Sequence, residues 1–355
     1  MLNVALIGLG NVAERIHLPA LAPVPGVQVV SACEVDEGRR TRVGKAFEIA
    51  NLYPTAADLF AHQRPDIVVI GTPPTCHLEH CLLALERGAH VFCEKPFVET
   101  VADADQIVEA AQRADRLVAV NNQYRHMAMY RESRRRIALG EFGQPFLIQA
   151  WQQMYHPPFK EKNWRADLVK STLFEFGTHV LDLVCFLFDA LPDAITVLTP
   201  QPRPDIAADV VVTVMLKFPD ERVATLVLNR ISHAPERYLE MRVDCERASL
   251  RLSLGGVARA TIDWSKALGR PAGRVSFVKG GEARVESGGR SRVIATEPRM
   301  AFASATGLKF KQFLGQVQSG QRDHSALRHA RELIRLVEAG YESARCGETI
   351  RLRHE

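Results

Sequence analysis

The chain has 355 residues, 46% of them hydrophobic and 24% charged, and its 45 Lys and Arg against 41 Asp and Glu leave a net charge of +4. This is the balance of a globular protein long enough for two domains, and it excludes both a disordered chain and the strongly basic surface of a nucleic-acid binder. Seven scattered cysteines argue against a secreted disulfide framework, and no stretch is apolar enough to cross a bilayer, so a cytoplasmic protein with no membrane or nucleic-acid partner is expected.

Leu2–Gly8 reads as a buried strand that ends in Gly8-Leu9-Gly10 and feeds a helix from Val12 onward, stopped before Pro23. Strand, glycine turn and helix in that order can hold a dinucleotide pyrophosphate on backbone N–H groups. Gly8 would permit the tight turn, Gly10 the close approach of backbone to phosphate, and Ala13 is small enough for the helix to lie near its strand. A merely structural turn is the competing reading of so short a motif.

Val27–Cys33 is a second strand, followed by Glu34-Val35-Asp36 and a helix over Glu37–Ala46. An acidic residue about 20–25 positions beyond the glycines can accept hydrogen bonds from the adenosine ribose and repel a 2′-phosphate. Glu34 is therefore the ribose candidate and favours NAD, while Arg39 and Arg40 keep NADP possible; a solvated loop carboxylate is the alternative. Asp66–Gly71, Ala89–Cys93 and Arg116–Asn121 continue the strand series, alternating with helices over His77–Arg87 and Thr100–Ala114. Such alternation predicts a parallel sheet covered on both sides. Lys95, in Glu94-Lys95-Pro96, follows a strand end where ligands bind in such sheets; it is either a substrate contact or a surface ammonium.

A domain boundary falls near Asn122, giving a dinucleotide-binding domain over 1–122 and a second domain over 123–355. After a helix over His126–Leu139, extended runs dominate: Phe146–Gln153, Val210–Lys217, Val223–Arg230, Tyr238–Cys245 and Ala248–Leu254. They predict a large, mostly antiparallel sheet with helices on one face, so the fold class is α/β followed by α+β. Ala194–Pro204 reads as a connecting segment and the Gly- and Arg-rich Ser265–Ser291 as an exposed hairpin or mobile loop. Two amphipathic helices, Lys309–Ser319 and Ser325–Ala339, precede a short strand at Thr349–Leu352, and the C-terminal helices are expected to pack back towards the first domain.

Glu175, His179 and Asp182 are spaced i, i+4 and i+7, so on an α-helix they share one face. A carboxylate one turn from an imidazole can orient a general base, or simply hold the helix through a buried hydrogen bond. Cys76, His77, His80 and Cys81 lie too close together on one helix to converge around a single zinc ion, so no metal is expected, and His77 reads as facing the core or a cofactor. His17 and His156 are lone histidines, structural or lining a cleft.

Together these pieces resemble the glucose–fructose oxidoreductase, inositol dehydrogenase and MocA family of NAD(P)-dependent oxidoreductases. The likeness rests on Gly8-Leu9-Gly10, Thr72-Pro73-Pro74 with His77, Glu94-Lys95-Pro96, Tyr124-Arg125, Trp164-Arg165, Gly177-Thr178-His179 with Asp182, and Gly340-Tyr341-Glu342-Ser343 near the end. The resemblance implies a Rossmann domain binding NAD through Gly8, Gly10, Asn11, Val12, Glu34, Thr72, Pro73, His77, Glu94 and Lys95. It implies a substrate region of Lys95, Tyr124, Arg125, Trp164, Arg165, Lys170, Glu175 and His179, and often a cis peptide before Pro96. Lys95 would orient the reacting hydroxyl, His179 would be the general base, Glu175 would assist it or bind a hydroxyl, and Asp182 would support the helix or line the pocket.

The implied activity is hydride transfer from a secondary alcohol of a sugar, sugar derivative or cyclitol, in a homodimer or homotetramer formed through the C-terminal sheet. A redox-assisted sugar elimination that retains NAD, or a nucleotide-binding sensor without turnover, is the alternative. The chain departs from the family at Val169-Lys170-Ser171-Thr172, where relatives commonly carry glycines. Side chains there would narrow the pocket, add a positive contact from Lys170, or mark an unusual activity.

Overall fold

A computed structural model describes residues 1–158, 164–233, 238–255, 257–265, 270–278, 280–297 and 300–353. The chain divides into two compact units, Met1–His126 with Phe302–Glu338, and Met127–Ala301 with Ala339–Glu355. The strand-rich second half of the sequence thus contributes two helical segments to the first unit.

In the first unit six strands, β1 (Leu2–Ile7), β2 (Val27–Cys33), β3 (Asn51–Tyr53), β4 (Ile67–Ile70), β5 (His90–Cys93) and β6 (Val118–Val120), form one parallel sheet in the order β3-β2-β1-β4-β5-β6. β4 and β5 are buried at every position, as strands covered on both faces must be. The order reverses between β1 and β4, and beyond the carboxyl ends of those strands lies the crevice where open α/β sheets bind ligands.

The first helix is not uniformly α. It is helical from Asn11, adopts π geometry over Ala13–His17, and returns to α geometry in α1 (Leu18–Leu21). The wider turn swings His17 into the interior, where it is 1% exposed. Side-chain caps start the next helices: Asp36 accepts the Arg39 N–H before α2 (Glu37–Ala46), and Thr55 accepts the Asp58 N–H before α3 (Ala56–His62). α4 (His77–Glu86) follows the Thr72-Pro73-Pro74 loop, and Thr100 caps α5 (Val101–Ala114).

Val4, Leu6, Ile67, Val69 and Phe92 pack against Phe310, Phe313 and Leu314 of the helix Ala301–Ser319. Phe92 and Phe310 meet edge to face at 5.3 Å. Each ring contributes roughly 2–3 kcal/mol by leaving water, which is why this distant helix belongs to the first unit's core.

The second unit is built on a nine-stranded sheet: β7 (Pro145–Gln153), β8 (Ala194–Leu198), β9 (Val211–Lys217), β10 (Val223–Asn229), β11 (Leu239–Cys245), β12 (Ser249–Leu254), β15 (Gly281–Ser287), β16 (Arg290–Glu297) and β17 (Ile350–Arg351). Between β12 and β15, strands β13 (Val257–Ser265) and β14 (Arg270–Val278) form a separate antiparallel pair. Its order is β16-β15-β12-β11-β7-β10-β9-β8-β17, antiparallel except where β7 meets β10. Burial alternates along β9 and β10, with Val212, Val214, Leu216, Ala224, Leu226 and Leu228 inside. α6 (Ala128–Ala138) and α7 (Thr178–Phe188) pack on this sheet.

Two sequence expectations change and a third is narrowed. Ala194–Leu198 is a strand, paired with β9, rather than part of a connecting loop. Of the two readings of Ser265–Ser291, exposed hairpin or mobile loop, the described residues show paired strands: β14, β15 and the start of β16, with 266–269 and 279 outside the described residues. Gly288 and Gly289, at φ 57° and 73°, make the tight β15–β16 turn; the exposed, charged side chains of that hairpin mask the strand period, but its pairing is carried by the backbone. Finally, Glu175 lies in a π turn over Thr172–Gly177 that precedes α7, so the uniform α-helical spacing assumed for Glu175, His179 and Asp182 does not hold at its start.

Candidate active site

At the first unit's strand ends the polar groups gather in sequence-distant pairs. Gly8 has φ +89°, and a Cβ there would stand 3.0 Å from Thr72 Cγ2 and 3.1 Å from the Gly71 backbone, so the turn requires glycine. Gly10 differs, because a Cβ there would meet no protein atom within 4 Å. Open space therefore lies beside the start of the helix at Asn11, and the first N–H groups of a helix have no partner within it, the arrangement that accepts a pyrophosphate.

Glu34 follows β2 and is buried. Its carboxylate accepts the Leu9 N–H at 2.9 Å and the Asp36 N–H at 3.0 Å, and Arg39 approaches at 3.4 Å. The carboxylate thus braces the glycine turn, and its remaining lone pairs leave capacity for ribose hydroxyls. Glycine cradle, helix start and acidic strand end all fit a dinucleotide.

The Lys95–Pro96 peptide is cis, as the resemblance implies. Glu94, just before it, is buried; its Oε1 lies 2.9 Å from His17 Nε2 and accepts the Asn121 side-chain N–H at 2.6 Å, while its Oε2 accepts the Lys95 N–H at 3.2 Å. Burial would raise the Glu94 carboxyl, but hydrogen bonding and charge from His17, with Asn121 and Lys95, outweigh it and hold the group below its ordinary value. Asn121 also donates to Thr306 at 3.1 Å.

His77 is fully buried on α4, with Nε2 2.9 Å from the Thr72 carbonyl and Nδ1 3.0 and 2.8 Å from the Pro96 and Phe97 carbonyls. Burial lowers its basicity against the opposing pull of those carbonyls. It ties the Thr72-Pro73-Pro74 loop to the segment after Lys95. Tyr124 and Arg125 lie in a 3₁₀ turn after β6, Tyr124 buried against Phe302 and Arg125 2.7 Å from His329 Nε2.

The second unit holds the other predicted residues. Glu175, His179 and Asp182 are all buried, and the Arg165 guanidinium donates to the Glu175 carboxylate. Arg165 also lies 4.4 Å from the Trp164 ring centroid, which fixes the guanidinium plane from its other side. Lys170 is exposed, its ammonium 5.3 Å from the Tyr341 ring. A Cβ on Gly177 would stand 2.9 Å from Leu228 Cδ1, so glycine lets the π turn settle onto β10. Among the described residues no group of three or more His, Cys, Asp or Glu is placed to hold a metal ion, and no helix is long and apolar enough to cross a membrane.

Sequence reasoning did not assign Asn121, Asp209 or Arg230 to the site, and left His17 undecided. Their signal was faint: Asp209 is a lone acid opening an apolar strand, Arg230 a lone base closing one.

The comparisons agree with this architecture. A model of the oxidoreductase family with an NAD-binding Rossmann fold matches residues 2–122, and a GFO/IDH/MocA C-terminal domain model matches 130–251. D-apiose dehydrogenase of Paraburkholderia graminis is 26% identical over 358 residues, covering 98% of this chain and 89% of that protein. Inositol 2-dehydrogenase 3 of Saccharopolyspora erythraea is 31% identical over 189 residues, covering 53% of this chain and 54% of that one. In fold, the chain matches an Agrobacterium radiobacter oxidoreductase in complex with NAD+, L-tartaric acid and magnesium (TM-score 0.82, 22% identity, 99% and 98% of the two chains). It also matches myo-inositol 2-dehydrogenase from Lactobacillus plantarum (TM-score 0.81, 19% identity, 99% of each chain). With both domain models matched in order on an NAD-binding Rossmann fold, the chain belongs to the GFO/IDH/MocA family of oxidoreductases.

Proposed function

We propose that the protein oxidises, reversibly, a secondary alcohol of a sugar, sugar derivative or cyclitol. The observation that carries this reading is Lys95, set at the carboxyl end of β5 beside the buried Glu94. NAD, when bound along Gly8, Gly10, Asn11, Val12, Glu34, Thr72, Pro73 and Glu94, supplies the hydride acceptor. The Lys95 ammonium donates a hydrogen bond to the reacting hydroxyl and stabilises negative charge on its oxygen. The His179 imidazole takes the hydroxyl proton. Glu175, held by Arg165, binds a neighbouring hydroxyl or orients His179, and Tyr124, Arg125, Trp164 and Lys170 border the substrate. His77 contributes by holding the loops around Thr72 and Lys95, both its ring nitrogens being engaged with carbonyls.

The test is NADH formation across a polyol and sugar panel that includes myo-inositol and D-apiose, with wild type, Lys95→Met and His179→Ala. Turnover lost by about a thousandfold or more in both variants supports the roles; unchanged turnover in both overturns them. NAD binding without reduction of it by any alcohol would favour the sensor, and product formation with NAD retained the elimination.

Met215, Leu198 and Phe146 project exposed from β9, β8 and β7. We infer that a second copy of the chain covers this sheet, in a homodimer or homotetramer, and that the protein works in the cytoplasm. Light scattering that returns a monomer at micromolar concentration would exclude the assembly.

A further inference from the structure

We propose that Asp209 and Arg230 are positioning residues that set the turn bearing Glu175 and, one turn on, His179. The proposal rests on the roles given above to those two side chains, and it concerns Ser171 and Thr172, where the family resemblance would lead one to expect glycines. Ser171, Thr172 and Leu173 open the π turn, and their N–H groups have no partner within it. All three converge on one carboxylate: Asp209 Oδ1 accepts from Ser171 and, at 3.0 Å, from Thr172, and Oδ2 accepts from Leu173 at 2.9 Å. The Tyr341 hydroxyl donates a fourth hydrogen bond, to Oδ2, at 3.1 Å. A buried carboxylate gripped by four donors is a fixed point.

Arg230 holds the same place from the other side. It is a fully buried arginine at the end of β10, donating Nε to the His156 carbonyl at 2.7 Å and Nη1 to the Ser171 hydroxyl. Its guanidinium stands 5.1 Å from the ring centroid of Phe176, the residue after Glu175. Ser171 is therefore held twice, by its N–H on Asp209 and by its Oγ on Arg230. Thr172 is also held twice, its hydroxyl donating to the Asp209 carbonyl. A glycine at either position would forfeit the side-chain half of the grip. The non-glycine residues Ser171 and Thr172 serve as an anchor for the turn, with side chains committed inward.

The test uses the full chain with Asp209→Asn, Ser171→Ala and Arg230→Lys, and Asp205→Asn as an exposed control. Two readouts need no substrate: amide hydrogen exchange over 171–177, and the pH profile of the His179 ring resonances. Expected are exchange about ten- to a hundredfold faster at 171–173 and a displaced His179 profile in Asp209→Asn, with smaller changes of the same kind in Ser171→Ala and Arg230→Lys. Should Asp209→Asn fail to fold, Ser171→Ala and Arg230→Lys decide the matter. Faster exchange with an unmoved His179 profile would reduce Asp209 to a helix cap and overturn the proposal, as would unchanged exchange in every variant that folds. If no alcohol is oxidised by the wild type, the reading of activity fails while these two measurements stand on their own.

Discussion

Nε2 of His17 lies 2.9 Å from Oε1 of Glu94, both side chains buried. The pair links the helix after the glycine turn to the strand end that carries Lys95, so the phosphate side of the cradle and the proposed catalytic lysine share one mechanical support. Removing His17 would leave a buried carboxylate with its main partner gone. His17→Ala should cost about 3–5 kcal/mol of stability, read as a lowered denaturation midpoint. Asn121→Ala, which leaves His17 in place, should cost less.

Glu94 also predicts a pH dependence. Folding lowers its pKa below the ordinary 4.5, so its charge stabilises the native state above that value, and the contribution is lost as pH falls through the lower folded value. Glu94→Gln should flatten the acid limb of the stability curve below pH 4.5. Denaturant melts at a series of pH values would show it, and an identical acid limb in both proteins would refute it.

The two glycines of the turn should behave oppositely. Gly8→Ala forces a side chain into a positive φ and against Thr72, and should destabilise the fold by about 1–3 kcal/mol. Gly10→Ala meets no protein atom, so the folding stability should stay within about 0.5 kcal/mol of wild type. Its NAD affinity, by calorimetry, should nonetheless fall about tenfold or more, since the added methyl occupies the space the pyrophosphate needs.

Glu34 should matter to cofactor binding through the turn as well as through the ribose. Glu34→Ala deprives the Leu9 and Asp36 N–H groups of their acceptor. A loss of about 1–3 kcal/mol in NAD binding is expected, with discrimination against NADP reduced. Undiminished NAD affinity would remove Glu34 from the site.

Arg165→Met tests the substrate side. It leaves the Glu175 carboxylate buried without its guanidinium, at a cost of about 3–5 kcal/mol, and should depress turnover. Arg165→Lys should restore charge but only part of the activity, because an ammonium lacks the planar face that stacks on Trp164.

What the sequence determined by itself was local. The apolar runs of β1, β2, β4 and β5, the glycine at Gly8, the acid at Glu34 and the Lys95–Pro96 corner follow from periodicity and backbone preference, which act over a few residues. Tertiary structure decided what depends on meetings between distant segments: His17 with Glu94, Thr306 with Asn121, Phe310 with Phe92, and Asp209 with Ser171 to Leu173. It also decided the π turns at Ala13–His17 and Thr172–Gly177, because an extra residue in a helical turn is stabilised by what surrounds it and has no period of its own to read. A buried polar group must find its partner wherever the fold brings one, and a partner far along the chain leaves no local signal in either segment.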